Sequence, residues 1–253
     1  MSHFSDVDNS PSVDRLVAYL ERTDHWMSTL KAYMAAAFAR DVPGGLILDL
    51  GCGLGRDLQR LETVGLRAIG IDLSAALLAR AAHAADAIVQ GNAAVLPFRD
   101  DTFDGCRAER TLQHVSDPGA VLDEIARVTR LGGTVAILDP DYSQFRVESD
   151  LVPHGTWPAA LLTARNPNMG AEVAALLEAR GFRVRDVVVE TSHGNAIGNL
   201  PVDAEMVVGR AAAEGRCDRW LADAWLGEQR AKSAAGTFRA QWNKVIVIAS
   251  MGQ

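Results

Sequence analysis

One stretch constrains the fold more than any other: Gly45-Leu46-Ile47-Leu48-Asp49-Leu50-Gly51-Cys52-Gly53-Leu54-Gly55. Its first half is almost continuously apolar, the pattern of a strand buried on both faces of a parallel sheet. Its second half places three glycines, Gly51, Gly53 and Gly55, within five residues, directly where that strand ends. Glycine lacks a Cβ, so such a turn can take positive φ and let a ligand lie against bare main chain. Leu58, Leu61 and Val64 then give the following helix one apolar stripe.

The alternation continues. Residues 67–74 (RAIGIDLS) read as a second strand, with Ser74 placed to cap the Ala/Leu-rich helix after it. Residues 86–92 (DAIVQGN) and 102–109 (TFDGCRAE) read as the third and fourth strands. Asp117-Pro118, a capping carboxylate followed by a first-turn proline, predicts a helix that ends at residues 130–133 (RLGG), and 134–140 (TVAILDP) is a fifth strand. Strands alternating with helices through short connections make a doubly wound α/β sheet. Two helices precede it: Val13, Leu16, Val17 and Leu20 keep helical spacing, as do Trp26, Leu30, Tyr33, Met34 and Phe38. Residues 1–11 read as a disordered lead. Past Asp141 the pattern loosens: 142–165 read as irregular to helical, 169–180 as a helix, 182–190 as a strand, 201–236 as polar to helical, and 242–250 as the last strand.

The expected organisation is one domain over 1–253. Residues 13–40 form a helical lid, 41–141 the cofactor-binding core, and 142–180 and 197–236 helical segments on the substrate side. The net charge of −7, with no Lys/Arg block, argues against nucleic acid as a partner. Basic residues are nearly all arginine, with only Lys31, Lys232 and Lys244. Cys52 and Cys106 fall in core elements and Cys217 in a polar helical segment; their spacing suggests neither a disulfide framework nor a zinc site. No His/Cys/Asp/Glu group has ligand spacing, so no metal is expected. Without a signal peptide or an apolar run of about 20 residues, a cytoplasmic location with no membrane partner is expected. Nothing in the residues sets an oligomeric state.

In an open parallel sheet, ligands gather beyond the carboxyl ends of the strands where strand order reverses. The glycine turn belongs at that crevice, and the amides near Gly55 open a helix, which favours a negative group. Dinucleotide enzymes space this turn G-x-G-x-x-G, whereas here Arg56 stands where the third glycine would be. Asp72 ends the second strand, where a carboxylate can take both hydroxyls of a ribose.

Residues 91–105 (GNAAVLPFRDDTFDG) and 109–133 (ERTLQHVSDPGAVLDEIARVTRLGG), taken with the glycine turn, resemble the class I S-adenosylmethionine-dependent methyltransferases. The likeness is to the subgroup of quinone-biosynthesis and small-molecule enzymes. It covers about 13–140, and 165–190 more loosely through RNPNMG and ARGF. It implies a Rossmann-like, mostly parallel seven-stranded sheet of order 3-2-1-4-5-7-6 with an antiparallel last strand, S-adenosyl-L-methionine as cofactor, and methyl transfer. By the same resemblance Asp49, Gly51 and Gly53 hold the methionine end, Asp72 the ribose, and Leu73 flanks the adenine. Asn92-Ala93 stands where the family has Asp-Ala; an amide oxygen can still accept from the adenine amino group. Arg110 lines the methionine pocket. Cys52, inside the turn, is a small buried residue of the cofactor site and not a reactive thiol.

His114 is the candidate base, because the family often places a histidine at this mouth. Asp139 and Asp141 are candidates to orient it or a substrate group, with a plain turn role as the alternative; Glu109 is placed to pair with Arg110, and Asp57 reads as a first-turn charge. The LDPDY at 138–142 is similar to the D-P-P-Y of enzymes that methylate nucleic-acid amino groups, but that signature follows strand four and this copy follows strand five. Tyr19, Trp26, Phe145, Trp157 and Met169 are available to wall an apolar pocket, which suits a small organic acceptor, possible in specialised metabolism. Two alternatives are methylation of a protein or RNA group and a cofactor-binding regulatory protein without transfer. An NAD-dependent reductase is disfavoured by the missing third glycine and the absence of a Tyr-x-x-x-Lys pair.

Overall fold

The computed structural model describes residues 7–8, 13–81, 87–152 and 164–252. Seven strands form one sheet: β1 (Leu46–Leu50), β2 (Arg67–Asp72), β3 (Ile88–Gln90), β4 (Phe103–Glu109), β5 (Thr129–Val147), β6 (Phe182–Gly194) and β7 (Ala240–Met251). Their order is β3-β2-β1-β4-β5-β7-β6, the expected one. β1 lies parallel between β2 and β4, Leu48 pairing with Ile69 on one side and Cys106 on the other. β7 runs antiparallel between β5 and β6. Strand order therefore reverses between β1 and β4, and a crevice opens beyond their carboxyl ends.

Eight α-helices occur among the described residues: α1 (Val13–Trp26), α2 (Ser28–Asp41), α3 (Arg56–Thr63), α4 (Ala75–Leu78), α5 (Pro118–Val128), α6 (Met169–Glu178), α7 (Ala204–Ala213) and α8 (Arg219–Ala234). Ser74 caps α4 by accepting from the Leu77 amide, and Asp117 caps α5 by accepting from Ala120. Asp203 and Asp218 do the same for α7 and α8. Each such cap contributes about 1 kcal/mol.

One sheet face buries Val121, Leu122 and Ile125 of α5 and Val173 and Leu177 of α6 against Leu48, Leu50, Val135 and Ile137. The opposite face carries Met34 and Phe38 of α2 and Leu58 and Leu61 of α3, packed on Ile47, Leu138, Ile246 and Ile248. A third core, with Phe145, Trp225, Phe238 and Trp242, joins α7 and α8 to the far ends of β5 and β7.

Several expectations are corrected. The lid proposed over 13–40 does not include α2, whose residues Leu30, Met34, Ala35 and Phe38 are buried against the sheet. Helix α3 is short and covers the β1–β2 side, so β5 and β7 need a second helix on that face. The chain does not loosen at Asp141. β5 continues past a bulge to pair Arg146 with Gln241 and Val147 with Ala240, because Phe145 and Val147 alternate inward to the third core. The α5 helix stops at Val128, where Thr129 already pairs with Phe103. The lead is ordered at Val7, which packs on Leu16, Leu54 and Leu77, and at Asp8, which accepts from the Ser74 hydroxyl and the Ala75 and Ala76 amides. Cys217 sits in the turn between α7 and α8. Trp157 lies outside the described residues.

Candidate active site

A cleft of about 350 Å³ opens beyond β1, β2 and β4. The Gly51 and Cys52 amides both donate to the Ile71 carbonyl, at 2.8 and 3.1 Å, so the glycine turn is stapled to the end of β2. Gly51 has φ +68°, and a Cβ there would collide with Thr111, whose hydroxyl donates to the Leu50 carbonyl. Gly53 has φ +52° with nothing within 4 Å of a Cβ position, so its main chain borders open cleft. Asp72 lies across from it: one carboxylate oxygen accepts from the Gly53 amide and the other from the Ser74 amide, each at 2.8 Å. Burial raises the Asp72 carboxyl above its usual range. Leu73 is exposed to the cleft. The Asn92 oxygen accepts from the Ala94 amide at 2.9 Å, a turn that presents Ala93 main chain to the same space. The replacement of Asp by Asn thus keeps a turn-shaping acceptor.

The cleft floor is charged and buried. Arg107 of β4, 3% exposed, donates to Asp49 at 2.6 Å and pairs with Asp57 at 2.9 Å and Glu109 at 3.1 Å. Lys31 of α2, 4% exposed, pairs with Asp24, Asp57 and Glu109 at 2.6–2.8 Å. Arg60 adds a further pair to Asp57. Asp57, in the first turn of α3 as expected, is thus a buried hub for three cations. Burial alone would raise Glu109, but Arg110, Lys31 and Arg107 hold it well below the usual carboxylate range. Burial pushes Asp49 up to about 6 against the pull of Arg107. One Asp49 oxygen, buried and lining the cleft, has no hydrogen-bond partner within the protein.

Arg110 follows β4 with φ +51°, a conformation that costs a non-glycine residue about 1–3 kcal/mol. It aims the guanidinium at Glu109 (2.8 Å) and at Thr23 of α1 (3.0 Å), as the sequence pairing of Glu109 with Arg110 anticipates. His114 lines the cleft, and burial together with the Arg110 cation pushes it down to about 3, so its imidazole is neutral. Asp139 is fully buried; its oxygens accept from the Leu112 and Gln113 amides. Those bonds make it a support for the turn leading to His114. Asp141 likewise accepts locally, from the Ser143 amide. Burial raises the Cys52 thiol, consistent with an inert residue in the turn.

The roof comes from Leu16, Tyr19 and Leu20 of α1, Met206 and Val207 of α7, and Tyr142 of β5. The Tyr19 hydroxyl donates to the Pro201 carbonyl, linking α1 to the loop before α7. Phe145 and Met169 are core residues and not part of this wall. Sequence reasoning missed Lys31 and Arg107. Both had a signal: a lysine within the apolar stripe of α2, and an arginine inside a strand otherwise fit for full burial, each need a partner. Among the described residues no group of three or more His, Cys, Asp or Glu could hold a metal ion, and no helix is long and apolar enough to cross a membrane.

The site fits a nucleoside carrying an amino-acid tail. The orphaned Asp49 oxygen offers an acceptor to an ammonium, the open space at Gly53 admits a ligand against main chain, and Asp72 stands where a ribose would lie.

Residues 48–137 match the family model described as Methyltransferase domain. An uncharacterized 37.1 kDa protein in transposon TN4556 of Streptomyces fradiae is 31% identical over 92% of this chain and 70% of that protein. A Mycolicibacterium smegmatis protein named "Probable S-adenosylmethionine-dependent methyltransferase" is 29% identical, covering 85% of this chain and 80% of its own. Matches to malonyl-acyl-carrier-protein O-methyltransferases are shorter, 35–41% of those proteins' length. Among solved structures, Haemonchus contortus phosphoethanolamine N-methyltransferase 2, in complex with phosphomonomethylethanolamine and S-adenosylhomocysteine, aligns with a TM-score of 0.60 at 18% identity, over 100% of this chain and 61% of that one.

Proposed function

Because the chain belongs to the class I S-adenosylmethionine-dependent methyltransferase family, we propose that it methylates a small organic acceptor held under the roof of the cleft. The observation that carries this reading is the enclosure. Tyr19, Leu20, Met206, Val207 and Tyr142 form an apolar cover beside the space for the cofactor, which leaves room for a small molecule rather than a folded macromolecule.

Bound there, S-adenosylmethionine supplies a methyl carbon already activated by a positive sulfur. Asp72 and the Gly53 main chain hold the ribose, Leu73 and Ala93 the adenine, and the free Asp49 oxygen the ammonium of the tail. Arg107 keeps Asp49 in place, and Arg110 borders the tail and the acceptor space together. With the donor fixed, alignment of the acceptor is the main task left to the protein; such orientation supplies roughly 7–11 kcal/mol of a barrier. His114, neutral and far below the working pH, is a poor match for strong general-base work, which favours a pKa near that pH. Its role in this reading is to accept a hydrogen bond from the acceptor and orient it. Asp139 acts one step further back, by fixing the turn that carries His114.

The test is to incubate the protein with methyl-labelled cofactor and a cell extract, then separate small molecules from macromolecules before mass spectrometry. Label is expected in the small-molecule fraction. Label confined to protein or RNA would overturn the reading.

A further inference from the structure

A second cavity, of about 340 Å³, lies beside the cofactor cleft and shares Tyr19, Arg110, Tyr142 and Pro201 with it. Its floor is the sheet itself. Pro140 of β5 pairs with Lys244 of β7, which pairs in turn with Glu190 of β6. One step along, Trp242 pairs with Ser192. Residues two apart share a face, so Trp242 and Lys244 point into the same chamber. The wall opposite is the end of α1, with Trp26 and Met27.

The two cations at this space are paired, but not equally firmly. The Lys244 ammonium is nearly buried, its side chain 9% exposed, and its partner Glu190, at 2.7 Å, is 39% exposed. Glu190 also accepts from the Ser192 hydroxyl at 3.0 Å, so it keeps a partner if it releases the lysine. Arg110 brings a second cation to the boundary with the cofactor cleft. Asp139, the other carboxyl on the lining, is raised to about 8 by burial and is protonated at neutral pH. Arg110 is held by the buried Glu109, whereas Lys244 depends on a carboxylate that reaches solvent and has Ser192 as a second partner, so an acid entering the chamber can take the ammonium in place of Glu190.

Resting on the small-molecule reading above, we propose that this chamber holds the body of the acceptor, an aromatic ring system bearing one acid group. The ring lies against Trp26 and Trp242, which bury large flat surfaces at defined geometry. The acid takes the Lys244 ammonium, and Tyr19, Arg110 and Tyr142 mark the passage toward the cofactor cleft. In this arrangement Lys244 is a specificity residue for the acid and takes no part in holding the cofactor.

Calorimetry with 1-hydroxy-2-naphthoate and with its methyl ester, in the presence of saturating S-adenosylhomocysteine, tests this. The acid is expected to bind about tenfold or more tighter than the ester, the scale of one charge-assisted hydrogen bond. Lys244→Met should abolish that preference and Lys244→Arg should keep it. Affinity for S-adenosylhomocysteine should be unchanged in both variants, which also reports that they are folded. Equal binding of acid and ester by the wild type, or a preference that survives Lys244→Met, overturns the proposal. If neither probe binds while labelled methyl still reaches small molecules, the acceptor class is wrong and the small-molecule reading stands; label found only on macromolecules removes both.

Discussion

The floor and the roof of the cleft are built by different means. The floor is made of strand ends, main-chain amides and ion pairs buried to within a few per cent, as at Asp49 and Arg107. The roof is made of helices that reach it across the chain. Its ties to the rest of the cover are the Tyr19–Pro201 hydrogen bond, the half-exposed Arg15–Asp203 pair and a small cluster of Val7, Leu16, Leu54 and Leu77, while the C-terminal end of α1 is held to the floor by the Asp24–Lys31 pair and the Thr23–Arg110 hydrogen bond. A surface ion pair contributes about 0–1 kcal/mol, whereas breaking a buried one costs about 3–5 kcal/mol. The floor is therefore suited to fix a cofactor, and the roof to open and close over an acceptor.

The largest effect is expected where the floor is most charged. Arg107→Met leaves Asp49, Asp57 and Glu109 facing one another without their shared cation, at a cost of about 3–5 kcal/mol. For a domain of this size that is a fall in Tm on the order of 10 °C. Thermal unfolding followed by circular dichroism measures it. A melting curve that overlays the wild type would mean that the ion network does not hold the floor, and the contrast with the roof would collapse.

Next comes the nucleotide end. Asp72→Ala removes the acceptor for the Gly53 and Ser74 amides together with the candidate ribose contact. Affinity for S-adenosylhomocysteine should fall about tenfold to more than a hundredfold, corresponding to about 1.5–3 kcal/mol. Titration calorimetry decides, and an unchanged affinity would take the nucleoside away from this end of the cleft.

Behind the turn that leads to His114, in the buried middle of β5, sits Asp139, whose burial raises its carboxyl from the ordinary range to about 8. The unfolded chain loses this proton near pH 4 and the folded one near pH 8. Below the unfolded value the group contributes its full stability, and the contribution drains away as pH rises through that window. Its slope is up to about 1.4 kcal/mol per pH unit. Asp139→Asn has no proton to lose, so its stability should fall less steeply than the wild type from pH 5 to 8. Asp49, raised to about 6, adds its own slope to both proteins and cancels in the difference. Urea denaturation across that range measures this, and parallel stability curves would count against a buried, protonated Asp139.

The same division explains what could be read in advance. The strand at 46–50, the glycine turn, Asp72 and the Ser74 and Asp117 caps are local signals, each written within a few residues, and they appear where the sequence puts them. The floor's ion network is not local. Lys31 and Glu109 are far apart in the chain, and neither names its partner until the sheet has formed. The roof was legible only in outline. The apolar stripes of α1 and α2 look alike on paper, yet one lines the cleft and the other is buried on the sheet. Which helix covers which surface depends on how much of each face the crossover helices leave bare, a quantity set by the whole fold. The extension of β5 to Val147 was hidden for a related reason. Its partner is the start of β7, and only that pairing makes an irregular aromatic stretch into a strand.

The smallest effect, and the sharpest on the roof itself, concerns Tyr19. Its hydroxyl joins α1 to the Pro201 carbonyl at the rim of the cleft, and a single hydrogen bond of this kind contributes about 0.5–1.5 kcal/mol net. Tyr19→Phe keeps the ring and removes that bond together with the hydroxyl's contact to Arg110. Global stability should therefore barely move, while local opening of α1 becomes a few times more frequent. Hydrogen exchange separates the two leading helices: α2, with Met34 and Phe38 fully buried, should exchange slowly in both proteins and be indifferent to ligand. Amides of α1 should exchange faster than those of α2, faster still in Tyr19→Phe, and slow when S-adenosylhomocysteine binds. If α1 protects its amides as well as α2 does, with or without ligand, it is fixed packing, and the roof differs from the floor in its construction but not in its motion.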